Sequence, residues 1–210
     1  GLLMSYKFRN HIKNNRFITT HVYEQNKFIY MRPGRSASTT IVSTIKQNNT
    51  EVSLPYFRNR GTNEWLENIT DDEISNDYFV FTFVRNPFGR LVSAWEAVSK
   101  NGRCVSDFKE FVRGKGPLYL FDEDNSFVND HWFPLSNYAE FEDGKQFVDY
   151  IGKVENIEKD WDEIKKRICC DGTKIAKRKI KPYDSHYDNE TLQIVSEIYK
   201  RDLELFDYEF

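Results

Sequence analysis

The chain has little cysteine, and none of it is spaced for metal. Cys104 stands alone and Cys169-Cys170 are adjacent, with no C-x-x-C or Cys/His pattern. That excludes a zinc-ribbon reading and leaves free thiols as the expectation. No metal is therefore expected. Long apolar runs are missing too. The longest, Phe79 to Val84, is broken by Thr82 and falls far short of the ~18 residues of a membrane span. Charge of one sign is lacking: 30 Lys and Arg stand against 33 Asp and Glu, a net of −3. A general electrostatic nucleic-acid binder would be basic, so nucleic acid is not an expected partner. Internal repeats and low-complexity tracts are absent. Gly1 to Tyr6 carries no charged-then-apolar signal pattern, and Met4 is a candidate native start. A cytoplasmic protein is expected, the alternative being a Golgi lumenal one from which an N-terminal segment has been removed.

Aromatic residues are plentiful at 16% of the chain, so ordering can be offset by burying rings. The length suits one domain, residues 1–210. It is expected to have an N-terminal extension (1–25) and two excursions (49–76 and 114–146) that form an acceptor cleft. Lys27 to Met31 reads as a buried strand ended by Pro33-Gly34, and a helix begins at Ser38. Tyr78 to Arg85 is apolar without alternation, as in a central strand covered on both faces. Asn86-Pro87 then supplies an N-cap and a first-turn proline. Phe147 to Val154 reads as a third strand, followed by a helix through Ile168 and a last helix capped by Asp188. Strands alternating with helices predict an α/β layer fold with a mostly parallel sheet.

Two constellations carry chemistry. The first is Gly34-Arg35-Ser36-Ala37-Ser38-Thr39-Thr40, between a strand and a helix. Backbone N–H groups at a helix N-terminus attract anions. Four hydroxyls and one fixed cation suit a phosphate or sulfate. The same segment also reads as a Ser/Thr-rich cap with an exposed arginine. It is not a Walker A loop, because the Lys-Ser/Thr after a second glycine is missing, which disfavours a nucleotide kinase.

The second runs from Phe83 to Trp95. Arg85 ends the central strand. Arg90 and Ser93, three residues apart, share one side of the next helix, which makes a clamp for a second anion. Each arginine taken singly also reads as the partner of a carboxylate. A basic run, Lys174 to Lys181, reads as a solvated face, or as a flap whose Lys177 and Arg178 close over a phosphate.

The segment Phe83 to Trp95 resembles the 3′-phosphate motif of the sulfotransferases that use 3′-phosphoadenosine 5′-phosphosulfate (PAPS). It resembles above all the carbohydrate sulfotransferases that include the HNK-1 and chondroitin 4-O enzymes, while Ala37-Ser38-Thr39 resembles the heparan 2-O form. The loop Gly34 to Thr40 is similar to their 5′-phosphosulfate loop. The resemblance continues through His131-Trp132-Phe133-Pro134, Tyr150 to Asn156, and Tyr199 to Tyr208. It implies a P-loop-like three-layer fold, PAPS as donor and PAP as product, and transfer to a hydroxyl of a glycan or small metabolite. Arg85 and Ser93 would be the 3′-phosphate ligands. Many members have lysine where this chain has Arg35. Arginine keeps the charge but cannot donate its proton, so Arg35 would stabilise the leaving oxygen electrostatically. For the base, His131 is one candidate, since an imidazole with pKa near about 6.5 can accept a hydroxyl proton at neutral pH. A structural histidine bonded to a backbone carbonyl is the competing reading. Glu64 and Glu67, beside Trp65, are the alternative bases. A PAPS- or PAP-binding protein without transferase activity is the non-enzyme alternative. Nothing in the sequence states the oligomeric state.

Overall fold

A computed structural model describes residues 4–15, 17–51, 54–56, 64–102, 106–114 and 130–210. Cys104 and residues 115–129 of the 114–146 excursion lie outside the described residues.

The sheet has five strands in the order β3-β1-β2-β4-β5. These are β1 (Thr19–Tyr23), β2 (Phe28–Arg32), β3 (Leu54–Tyr56), β4 (Phe79–Val84) and β5 (Tyr150–Lys153). β2, β4 and β5 pair in parallel, while β1 runs antiparallel to both β2 and β3. Four strands therefore share one direction and the sheet is mostly parallel. The segment expected as an N-terminal extension is integral to the fold. It supplies β1, in register from Thr19 opposite Arg32 to Tyr23 opposite Phe28. It also supplies α1 (Lys7–Asn14), which buries Phe8 and Ile12.

The lack of alternation in β4 has a direct cause: both of its faces are covered. Val80 and Val84 point to one side, with Ile29, Met31, Phe8 and Ile12. Phe81 and Phe83 point to the other, where they meet two helices. These are α2 (Ser38–Ile45), through Ile41 and Ile45, and α7 (Ile157–Lys165), through Ile157, Trp161 and Ile164. Helix, sheet, helix is the three-layer α/β arrangement. The segment between β3 and β4 holds α3 (Glu64–Asn68) and α4 (Asp71–Asp77), the latter opened by a capping box of Thr70 and Glu73.

A third core joins α5 (Pro87–Lys100) and α6 (Phe108–Arg113) to the C-terminal pair α8 (Asn189–Ile198) and α9 (Lys200–Phe206). Trp132, fully buried, is its centre. The Asn86 side chain accepts from the Phe88 N–H with Pro87 in the first turn, as its sequence signature predicts. The last helix expected from the Asp188 cap is divided at Tyr199 into α8 and α9. Asp107 caps α6, its side chain accepting from the Glu110 N–H.

Candidate active site

The parallel strands end together, and helices α2, α5 and α7 all start from that edge, α7 after the 3-10 turn Val154–Asn156. Each such start has N–H groups with no intrahelical partner, so the edge is electropositive before any side chain is added.

The loop after β2 is held in an unusual shape. Arg35 has φ 59° and Ala37 φ 62°, both in the left-handed region. Such positions favour glycine and cost an L-residue roughly 1 kcal/mol or more. The surroundings over-determine them. The Gly34 N–H donates to Asp130 Oδ1 (3.1 Å), Arg90 Nε donates to the Gly34 carbonyl (2.9 Å), and Arg85 Nη1 donates to the Arg35 carbonyl (3.3 Å). Gly34 is required here by close approach, since a Cβ would lie 2.8 Å from the Asp130 carbonyl oxygen.

The loop brings Arg35 to Ser93, whose Oγ accepts from Arg35 Nε (3.1 Å) and Nη2 (2.9 Å). Arg178 arrives from the basic run, its Nη1 donating to Thr40 Oγ1 (3.2 Å). Arg35, Arg85, Ser93, Glu96, Arg178 and Tyr183 line one cleft of about 430 Å³. That volume is within the range of small-molecule sites, about 300–1,000 Å³. Burial lowers the pKa of both Arg35 and Arg85, and Arg178 lowers each further. Arginine remains charged under such shifts, so the cleft is a cluster of cations with an unmet demand for anionic charge. Ser36 is fully buried and its Oγ has no hydrogen-bond partner among the described residues.

The expected clamp is thus made by other pairs than the sequence suggests. Arg85, Ser93 and Arg35 converge. Arg90 does not join them: it is 2% exposed and its donors go to the carbonyls of Gly34, Phe133 (2.7 Å) and Asp130 (2.9 Å). It is a strut that fixes the loop, and its guanidinium is committed to backbone oxygens. Ser38, Thr39 and Thr40 open α2, with Thr39 exposed and Thr40 bonded to Arg178. Lys177 is exposed and is not among the residues that line the cleft, whereas Arg178, Lys179 and Lys181 are.

His131 follows Asp130, the residue packed on Gly34, and is itself not among the residues that line the cleft. Its segment is anchored from behind. The Trp132 carbonyl accepts from the Tyr199 hydroxyl (2.6 Å), and Asp202 accepts from the N–H groups of Leu135 (2.7 Å) and Ser136 (2.8 Å). Tyr138 donates to Asp130 Oδ1 (2.9 Å). Burial holds the Asp130 carboxyl above the usual carboxylate range, against the opposing pull of Tyr138, Arg90 and the Gly34 amide.

Glu64 and Glu67 are elsewhere. Glu64 lines a second pocket with Lys27 and Tyr78, the residues that precede β2 and β4. That is the opposite edge of the sheet. Glu67 pairs with Lys13. Neither carboxylate meets the cleft, so the expectation of a base there is corrected.

Sequence reasoning missed Tyr183 and Asp130. The signal for Tyr183 was Gly89, a glycine inside a helix. A Cβ there would stand 2.9 Å from Tyr183 Cδ1, so the bare backbone seats the ring. Nothing in the sequence marked Asp130.

A relative from Mus musculus, carbohydrate sulfotransferase 14, is 30% identical over 142 residues, which is 56% of this chain and 36% of the relative. The protein of that name from Danio rerio is 30% identical over 134 residues, 50% of this chain and 34% of the relative. An uncharacterised protein of Archaeoglobus fulgidus is 31% identical over 104 residues, 49% of this chain and 78% of the relative. The matches thus cover about a third of the length of each carbohydrate sulfotransferase. No solved structure matches. The profile described as the sulfotransferase family matches residues 18–209, a span that takes in all five strands and every residue of the cleft, and the chain belongs to that family.

Proposed function

We propose that the protein transfers a sulfuryl group from PAPS to a hydroxyl of a carbohydrate or small metabolite. The observation that carries this is the convergence of Arg35, Arg85 and Arg178 with Ser93 in one cleft at the strand ends. Two anionic ends are matched by two groups of donors. The loop Gly34 to Thr40, with the α2 N-terminus and Arg35, suits a 5′-phosphosulfate. Arg85 and Ser93, with Arg178 beside them, suit a 3′-phosphate. Tyr183 presents a ring on the same wall, where a purine can stack.

When bound, PAPS supplies an activated S–O bond. Arg35 faces the charge that develops on the bridging oxygen as that bond breaks, and a preorganised cation there lowers the barrier. His131 receives the acceptor proton while the acceptor oxygen bonds to sulfur. Arg90 and Asp130 keep the loop in place. No group of His, Cys, Asp and Glu suited to a metal occurs among the described residues. The carbohydrate class of acceptor is supported by the names of the relatives. No helix among the described residues is long and apolar enough to cross a membrane. A cytoplasmic location is part of this proposal.

The test is transfer of labelled sulfate from PAPS to a panel of glycans and hydroxyl metabolites, resolved by mass. A labelled product that requires both PAPS and enzyme supports the proposal. Tight PAP binding with no product from any acceptor would leave a nucleotide-binding protein in its place.

A further inference from the structure

Arg85 is a half-buried guanidinium just past the end of the central strand. Glu155, at the end of β5, is the acidic group with the most influence on it. Yet among the described residues no ion pair joins the two, and the Arg85 hydrogen bond found there goes to the Arg35 carbonyl. Both Glu155 oxygens are occupied elsewhere. Oε1 accepts from the Asn86 N–H (2.8 Å) and Oε2 accepts from the Tyr208 hydroxyl (2.7 Å). Tyr208 is itself pinned. Lys153 lies over its ring at 4.5 Å, and the next residue, Glu209, accepts from Asn86 Nδ2 through its carbonyl (2.7 Å). Phe210 then packs on Phe88, Tyr183 and Tyr187 at ring distances of 5.1, 5.8 and 5.4 Å. Burial and Glu155 push the Tyr208 hydroxyl far above its ordinary value, so it stays protonated and remains a donor.

A free carboxylate bonded to the backbone of the very next residue would close on a half-buried guanidinium, since paired charge-assisted hydrogen bonds of that kind are the strong ones. We propose that Tyr208 is a positioning residue that holds Glu155 off Arg85, keeping the guanidinium open for the 3′-phosphate of the donor. Glu155 then serves as a nearby counter-charge that moderates the repulsion among Arg35, Arg85 and Arg178 without closing the site. The C-terminal segment 207–210 is thereby part of the donor site, although it does not line the cleft. This inference rests on the PAPS reading above.

The test compares PAP with adenosine 5′-phosphate, which lacks the 3′-phosphate, by calorimetric titration. Tyr208→Phe keeps the ring and the Lys153 contact and removes one hydroxyl. It should weaken PAP about five- to tenfold, the scale of one hydrogen bond to a charged group, and leave adenosine 5′-phosphate within twofold. In a Glu155→Gln background, where no carboxylate remains to capture Arg85, the same change should not alter the ratio of the two affinities. Glu155→Gln alone should give a ratio no lower than wild type. A crystal structure of the Tyr208→Phe protein without nucleotide should show Glu155 paired directly with Arg85. Equal weakening of both nucleotides, a fall in the ratio with Glu155→Gln alone, or a Glu155 that stays on the Asn86 amide would each overturn the proposal. If the wild type bound the two nucleotides equally, the PAPS reading would fail and the crystallographic ion pair would decide the role of Tyr208 by itself.

Discussion

The two edges of the sheet each carry a pocket, and the pockets differ in sign. At the carboxyl ends of the parallel strands, the cleft of about 430 Å³ gathers Arg35, Arg85, Lys100, Arg178, Lys179 and Lys181 against one carboxylate, Glu96. At the amino ends, a larger pocket of about 590 Å³ gathers Glu24, Glu64, Glu73 and Asp77 against one cation, Lys27. Volume favours the second and chemistry the first. Three helices begin at the carboxyl edge, so their free N–H groups and the arginines point the same way. An anionic donor is attracted to one edge and repelled by the other. The net charge of −3 conceals this division, because it averages over both.

The comparison breaks first at Arg35. Arg35→Ala should lower turnover on the order of a hundred- to a thousandfold, the usual effect of removing a preorganised group that stabilises developing charge. PAP affinity should fall much less. Equal losses in the two, measured by single-turnover rates and calorimetry, would remove Arg35 from the transfer step. The base sharpens the contrast between the edges. His131→Ala should lower transfer about a hundredfold with PAP binding nearly intact, while Glu64→Gln and Glu67→Gln leave the rate within about twofold. A large effect from either Gln variant would mean that the acidic edge takes part in the chemistry.

Two arginines of the same edge should then separate by role. Arg90→Ala leaves three carbonyl groups without their donor and should cost about 3 kcal/mol or more of stability, read by denaturant titration. Arg85→Ala should leave stability little changed and weaken PAP roughly tenfold or more. Reversal of these two results would make Arg90 the ligand.

The smallest expected effect is a titration. Burial, followed by Arg32 and Lys46, lowers the His21 pKa to about 4. Arg32 Nη1 lies 3.1 Å from His21 Nε2, and a guanidinium can only donate, so that nitrogen must be unprotonated. The folded value lies below the unfolded one of about 6.5, so this stability is present above pH 6.5. It is lost as pH falls from about 6.5 to about 4, by on the order of 3 kcal/mol. His21→Gln should flatten that part of the stability profile. An unchanged profile would show that the cationic edge tolerates the extra proton.

The layer fold was legible because its signals are local. The apolar run of β4, the Asn86-Pro87 start of α5 and the Asp188 cap of α8 each follow from a few adjacent residues. β1 was not legible, since Thr19-Thr20-His21 is weakly apolar and becomes a strand only by pairing with β2 and β3. The loop Gly34 to Thr40 was singled out by its place between strand and helix, but the left-handed turns at Arg35 and Ala37 leave no mark in residue types. Helical spacing put Arg90 on the side of Ser93 without saying how deep that side is buried. Chain order also cannot say at which edge of the sheet an excursion ends, which is why Glu64 and Glu67 were drawn toward chemistry that lies across the sheet.

The central claim is that Arg85 and Ser93 form a site for a 3′-phosphate at the carboxyl edge. Calorimetric titration of the wild type and of Arg85→Ala with PAP and with adenosine 5′-phosphate tests it most directly. The wild type should bind PAP at least tenfold more tightly than adenosine 5′-phosphate, and Arg85→Ala should erase most of that preference. Equal binding of the two nucleotides by the wild type, or a preference that survives the loss of Arg85, would contradict it.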